Sequence, residues 1–378
     1  MLLLIGLDGA TFDLIGPWIQ TDQLPQIAKL IRDGVNGRLE STIPPMTAPA
    51  WASFMTGKNP GKHGVFDFFS GHPSNPEMVS SQSIKSPVFW DYLGKEGLRT
   101  GVLNLPLTYP PREINGYLVP GLMSPEPLGK CHPEDLISRY RDELGDYRLY
   151  PRELFEPGSR DDYLEDLNEI TSRQTEYALR LFRDNPVDLG VLHLLAPDLG
   201  QHKLWQYSDP GHPWSEHDGL REGGNLLLDL FVHLDEAIGR LISAIPENST
   251  VILMSDHGFG PQVHSINLNL HLVRAGLLKL NGSPVSLLHR WDIRWGRKPT
   301  LTSVFSIILG RDLSAGFHNV DWPATRAYAF GHMGQVYLTA KAPAKKDLDL
   351  VIETLLALRD PENDRPLVSE ILRRDEIF

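Results

Sequence analysis

Short, mostly apolar runs at 2–7, 100–104, 189–195 and 250–254 alternate with longer stretches in which apolar residues recur every three or four positions. Continuous apolar strands set between amphipathic helices predict a parallel sheet buried on both faces. The helical stretches are 24–33, 50–56, 86–96, 161–185, 224–244 and 268–275, and Pro or Gly punctuates the ends of the first three. The fold expected is therefore α/β, with a mostly parallel central sheet and helices on both faces. After residue 268 the alternation fails. Residues 282–317 mix Trp291 and Trp295 with a basic cluster and several serines, 327–340 reads as a strand, and 346–359 reads as a helix. This predicts a core over 1–268 and a smaller cap-like subdomain over 269–378, a division that 378 residues comfortably support.

Composition narrows the function classes. Hydrophobic residues make up 41% and charged residues 22%, a globular balance, and the formal net charge of −12 argues against a nucleic-acid surface, which needs clustered Lys and Arg. Cys131 is the one cysteine, so neither an intrachain disulfide nor a thiolate zinc cluster can form, and a reducing, cytoplasmic setting is expected. The run 2–7 has no basic leader and is broken at once by Asp8 and Gly9, so it is expected to be a buried strand rather than a signal peptide or a membrane span.

Candidate chemistry sits where the predicted strands end. The first strand runs into Asp8-Gly9, at the carboxyl edge where open α/β sheets place their ligands. An Asp-Gly pair there also makes an ordinary turn. Thr47 precedes a predicted helix, where a hydroxyl serves as an N-cap, as a nucleophile beside the positive helix end, or both. Asp198 and His202 follow the strand 189–195 at a spacing of four, which puts them on one face of a helical turn with one oxygen and one nitrogen donor for a divalent ion. The segment 251–260 carries an apolar strand straight into Asp256-His257-Gly258. A carboxylate at the end of a core strand is costly to bury unless a positive charge meets it. Together these groups can hold two cations about 4 Å apart. Thr47 would then attack phosphorus in line, giving a phosphothreonine that water hydrolyses with net retention.

Leu7-Asp8-Gly9, Thr47 with Met55-Thr56-Gly57 and His63-Gly64, the run 104–110, the motif 198–202 and Ser255-Asp256-His257-Gly258-Phe259-Gly260 resemble the alkaline phosphatase superfamily. Within it the resemblance is to the branch of type I phosphodiesterases and nucleotide pyrophosphatases, and it spans most of the chain. The resemblance implies an alkaline phosphatase-like fold. It also implies that Asp8, Thr47, Asp256 and His257 surround one divalent ion and that Asp198 and His202 supply two ligands of a second. Zinc is the first expectation, with manganese or iron as alternatives. The resemblance calls for a third ligand, a histidine in a C-terminal segment that has no counterpart here, and His264 and His332 are the candidates to replace it. Where relatives carry an oxyanion-stabilising Asn after the His-Gly pair, this chain has Asp67 and Phe68.

The expected activity is hydrolysis of a small phosphate ester, a phosphodiester or nucleotide pyrophosphate, without a nucleic-acid or membrane partner. Oligomerisation is left open. A phosphomutase of the same superfamily is the enzymatic alternative, with the basic, aromatic run 289–298 as its phosphate grip. A catalytically impaired metal- or phosphate-binding remnant is the alternative from another class. A sulfatase is disfavoured, because Thr47-Ala48-Pro49-Ala50 lacks the Cys or Ser that those enzymes convert.

Overall fold

The computed structural model describes residues 1–125, 128–152, 155–213, 215, 225–283, 317–340 and 344–378. The run 289–298 lies outside the described residues. In chain order the elements used below begin with β1 (Leu2–Leu7), α1 (Phe12–Gln20), α2 (Pro25–Asp33) and α3 (Thr47–Thr56). Next come the strands β2 (Phe69–His72) and β3 (Asn75–Met78), α4 (Phe89–Lys95), β4 (Thr100–Leu103) and β5 (Gly116–Val119). There follow α5 (Arg160–Asp184), β6 (Leu189–Leu194), α6 (Ala196–Ser208), α7 (Leu226–Ala244) and β7 (Thr250–Met254). The last are α8 (Leu268–Arg274), β8 (Ala327–Ala329), β9 (Val336–Leu338) and α9 (Lys345–Leu356). The chain divides into two compact units, Met1–Phe68 with Val79–Val263, and Phe69–Met78 with His264–Phe378.

The first unit is built on a five-stranded sheet in the order β5-β4-β6-β1-β7, with every pairing parallel. Alternation along β1 sorts its side chains onto two faces. Leu3, Ile5 and Leu7 enter one core with residues of α1, α2, α5, α6 and α7, whereas Leu4 enters the other with Trp51, Ala52 and Met55 of α3 and Trp90 of α4. Both faces of the inner strands are thus covered, which is why β1 and β6 read as mostly apolar runs. Each fully buried Leu or Val contributes roughly 1.5–3 kcal/mol. The unexpected strand is β5, four residues long and too short to show a period of its own.

Helix packing depends on small residues in the motifs. Gly200 lies inside α6, and a Cβ there would come 2.3 Å from Leu230 Cδ2 of α7, so glycine permits the close crossing that seats Asp198 at the sheet edge. The start of α2 has no cap of its own. Its amides at Gln26 and Ile27 donate instead to Asp235 of α7, at 2.9 and 2.8 Å.

The second unit packs α8, α9 and the β8–β9 hairpin around Leu272, Leu277, Leu278, Val351 and Leu355. The run 327–340, expected as one strand, is two three-residue antiparallel strands, because Gly331 and Gly334 adopt positive φ and turn the chain between them. His332 lies in that turn. The β2–β3 hairpin belongs to this unit, with Trp322 Nε1 donating to Ser74 Oγ at 2.9 Å and the His72 and Trp322 rings 4.2 Å apart.

Candidate active site

Strand alternation and register assemble the centre of the site. Asp8 continues β1 by one residue, its amide donating to Leu194 O at 3.1 Å, and therefore falls on the same face as Leu4 and Gly6, toward α3. Helix α3 begins at Thr47 itself, with Met46 as its N-cap and no side-chain cap bond. The Thr47 hydroxyl is thus not spent on capping. Its Oγ1 lies 3.2 Å from Asp8 Oδ1 and 3.2 Å from His257 Nε2.

The loop after β7 brings the other groups. Gly9 N donates to Asp256 Oδ1 at 3.2 Å, and Ser255 Oγ donates to His257 O at 2.7 Å, which clamps the turn. His257 Nε2 stands 3.3 Å from Asp8 Oδ1 and 3.5 Å from Asp256 Oδ2. Its Nδ1 lies 2.8 Å from Gly258 O, an atom that can only accept, so Nδ1 carries a proton and Nε2 faces the oxygens. Asp8, Asp256 and His257 offer ligand atoms all within 4.8 Å of one another.

The buried groups strongly shift one another's protonation. Burial alone would raise the Asp8 carboxyl, but hydrogen bonds and positive charge from His193 and His257 hold it well below the usual carboxylate range. Burial, and then the negative charge of Asp8, push Asp256 well above it. Burial would lower His257, yet its hydrogen bond to Asp8 and the charges of both carboxylates raise it to about 10. Asp256 Oδ2 is buried with no hydrogen-bond partner. Two buried carboxylates, one of them with an oxygen that has no hydrogen bond, and an imidazole nitrogen make a donor set that fits a divalent cation.

Asp198 and His202 form a neighbouring pair on α6, 3.4 Å apart. A Cβ placed at Gly9 would lie 3.3 Å from His257 Cε1 and 3.4 Å from Asp198 Oδ1, so the pair borders the same sheet edge as the first group. The His202 ring meets Phe259 edge-on at 4.7 Å, and Trp205 stacks on the same ring at 5.8 Å. All six residues singled out in the sequence therefore reach one edge of the first unit. His264 and His332 belong to the second unit, where His264 joins Asp360 and Glu362 in another compact group of possible ligands. Asp67, in the segment after His63-Gly64, is buried.

Two residues of the site were not anticipated. His193 Nε2 lies 2.7 Å from Asp8 Oδ2, and Trp51 Nε1 donates to the same oxygen at 3.1 Å. Both look like core in the sequence. Only the pairing of Gly6 with His193 across β1 and β6 brings the imidazole beside Asp8, although a lone His in an otherwise apolar strand was a signal to follow.

Fold and site together define a protein that places a buried threonine hydroxyl against a strand-end cluster of carboxylate and imidazole donors. Residues 2–363 match the type I phosphodiesterase / nucleotide pyrophosphatase family, and the chain belongs to that family of phosphoester hydrolases. No curated protein matches the chain. Among solved structures it is similar to phosphonoacetate hydrolase from Sinorhizobium meliloti 1021 in complex with phosphonoformate, at 15% identity and a TM-score of 0.49, covering 95% of this chain and 73% of that one. The same hydrolase with phosphonoacetate gives 16% and 0.43, covering 79% and 62%. A 2-O GAG sulfatase gives 13% and 0.41, covering 68% and 58%. Among the described residues no helix is long and apolar enough to cross a membrane.

Proposed function

We propose that this protein hydrolyses a phosphodiester or nucleotide pyrophosphate, with Thr47 as the nucleophile. The observation that carries this reading is the Thr47 hydroxyl, buried at the first position of α3 and shared between Asp8 and His257 instead of capping its helix. Asp8, Thr47, Asp256 and His257 would hold one divalent cation, and Asp198 with His202 would hold a second. Zinc suits this nitrogen and oxygen set, with manganese or iron as alternatives. When bound, such cations supply positive charge that acidifies the hydroxyl and offsets charge developing on the phosphate oxygens.

The remaining steps belong to the chain's own residues. Asp8 Oδ1 accepts the Thr47 hydrogen bond and orients Oγ1, while the positive end of α3 favours the anionic phosphate beside it. The Oγ1–phosphorus bond forms as the bond to the leaving oxygen breaks, and the leaving group, an alcohol from a diester or a phosphate from a pyrophosphate, departs with the proton given up by the Thr47 hydroxyl. Water then cleaves the phosphothreonine, returning the hydroxyl to Thr47 and releasing a phosphate monoester. The lone, half-buried Cys131, whose thiol burial pushes up to about 12, suits a reducing cytoplasm.

The test is turnover of bis-nitrophenyl phosphate, nitrophenyl phosphate and a nucleotide pyrophosphate by the parent and by Thr47→Ala. A preference for the diester or pyrophosphate, lost in Thr47→Ala with the fold intact, is the expected result; activity that survives the substitution refutes the nucleophile. A second reading, a metal- or phosphate-binding module with impaired turnover, is favoured by one observation. Among the described residues Asp198 and His202 join no third carboxylate or histidine in a compact ligand group. Tight cation binding without turnover that depends on Thr47 would support it.

A further inference from the structure

Asp8 divides its two oxygens between different neighbours. Oδ1 faces Thr47 Oγ1 and His257 Nε2, whereas Oδ2 receives Trp51 Nε1–H at 3.1 Å and stands 2.7 Å from His193 Nε2. We propose that His193 and Trp51 are positioning residues that occupy Asp8 Oδ2, so that Asp8 offers a cation one oxygen, Oδ1, aimed at Thr47. The inference rests on the cation site described above and assigns it a supporting layer.

A carboxylate oxygen cannot donate, so the 2.7 Å contact requires hydrogen on His193 Nε2. His193 Nδ1 is buried without a partner, and nothing there competes for the proton. Two donors then saturate the two lone pairs of Oδ2 and leave it none for a cation. The arrangement is rigid: Asp8, Trp51 and His193 are all within 1% of full burial, and the indole and imidazole meet edge to face at 4.9 Å. It is also built into the strands. The parallel register sets His193 opposite Gly6, and a Cβ at Gly6 would come 2.4 Å from Trp51 Cη2, so the glycine makes the slot the indole fills. Partners of this kind commonly change metal affinity or activity by about 10- to 100-fold when removed.

The experiment uses the full chain, with Zn²⁺ as probe, titrated by competition against a chromophoric chelator. Trp51→Phe keeps a ring and removes the donor, His193→Leu removes the other donor, and His193→Gln restores an N–H near the position of Nε2. Asp256→Asn marks the site. The expected result is Zn²⁺ binding weakened about tenfold or more in Trp51→Phe and His193→Leu, and held within about threefold of the parent in His193→Gln. Melting of the cation-free forms separates this from loss of fold, and if His193→Leu does not fold the other two variants decide. Parental affinity in Trp51→Phe, or a weakening in His193→Gln equal to that in His193→Leu, overturns the positioning role and leaves the cation site standing. A parent whose Zn²⁺ binding is unaffected by Asp256→Asn overturns the cation site itself, and this inference with it.

Discussion

Asp256 is buried beside Asp8, and its Oδ2 has no hydrogen bond, an arrangement that costs stability while the carboxylate stays ionised. Its carboxyl is held above the usual range, so its penalty is largest at high pH, where the side chain is forced to ionise, and fades as pH falls. Asp256→Asn should therefore raise the stability of the cation-free protein at pH 8 by roughly 1–3 kcal/mol while lowering activity at least about 100-fold. Thermal melting with chelator present, paired with a turnover assay, checks both halves. His63 illustrates the structural counterpart. It is buried, takes the Val65 amide on Nδ1 at 3.2 Å, and contacts Ser53 Oγ through Nε2 at 2.9 Å. Burial lowers it to about 4. Since the unfolded chain binds this proton near 6.5 and the folded one only near 4, stability should fall between those values as pH drops, by up to about 3 kcal/mol. Denaturation of the parent and His63→Gln across that window should show the shallower slope in the variant.

At the scale of elements, the site depends on how helices and strands are held against each other. Asp235 reaches from α7 to cap the amides of Gln26 and Ile27, doing for α2 what Leu24 cannot. Asp235→Ala should cost roughly 1–3 kcal/mol, with part recovered in Asp235→Asn; urea midpoints that shift at constant slope would establish it. Gly6 is the strand-level requirement of α3, because its missing side chain makes room for Trp51. Gly6→Ala should destabilise by roughly 1–3 kcal/mol through overpacking. The loss should shrink when Trp51→Phe removes the clashing atoms, a coupling that a double-mutant cycle measures directly.

At the scale of the whole molecule, a net charge of −12 and a sheet edge lined with carboxylates make cation binding the natural source of added stability. Free Zn²⁺ at about 100 times its dissociation constant should stabilise the fold by about 2.7 kcal/mol. His257 rises to about 10 in the cation-free protein, so its protonated form contributes stability that is fully present below 6.5 and lost as pH climbs toward 10. A cation needs the Nε2 lone pair and must displace that proton. Binding near pH 8 should consequently release about one proton and tighten as pH rises, which calorimetry in buffers of different ionisation enthalpy would reveal.

What the amino-acid order determined by itself was local and periodic. Mostly apolar runs marked β1, β4, β6 and β7 to within a residue or two, because the inner strands are buried on both faces and tolerate few polar residues, and Asp8, Asp198 and Asp256 stood out because they follow such runs. Short elements escaped. The strand β5 spans little more than one alternation, and the run 327–340 looked like one strand because its glycines announce a turn only once their φ values are known. Tertiary structure decided what no spacing encodes. Thr47 serves Asp8 and His257 rather than its own helix, the β2–β3 hairpin joins the unit formed by residues after Val263, and His193 and Trp51 meet on one oxygen of Asp8. Each of these follows from strand register and helix placement, which join residues far apart in the chain; in the local pattern only the lone His193 of an otherwise apolar strand hinted at any of them.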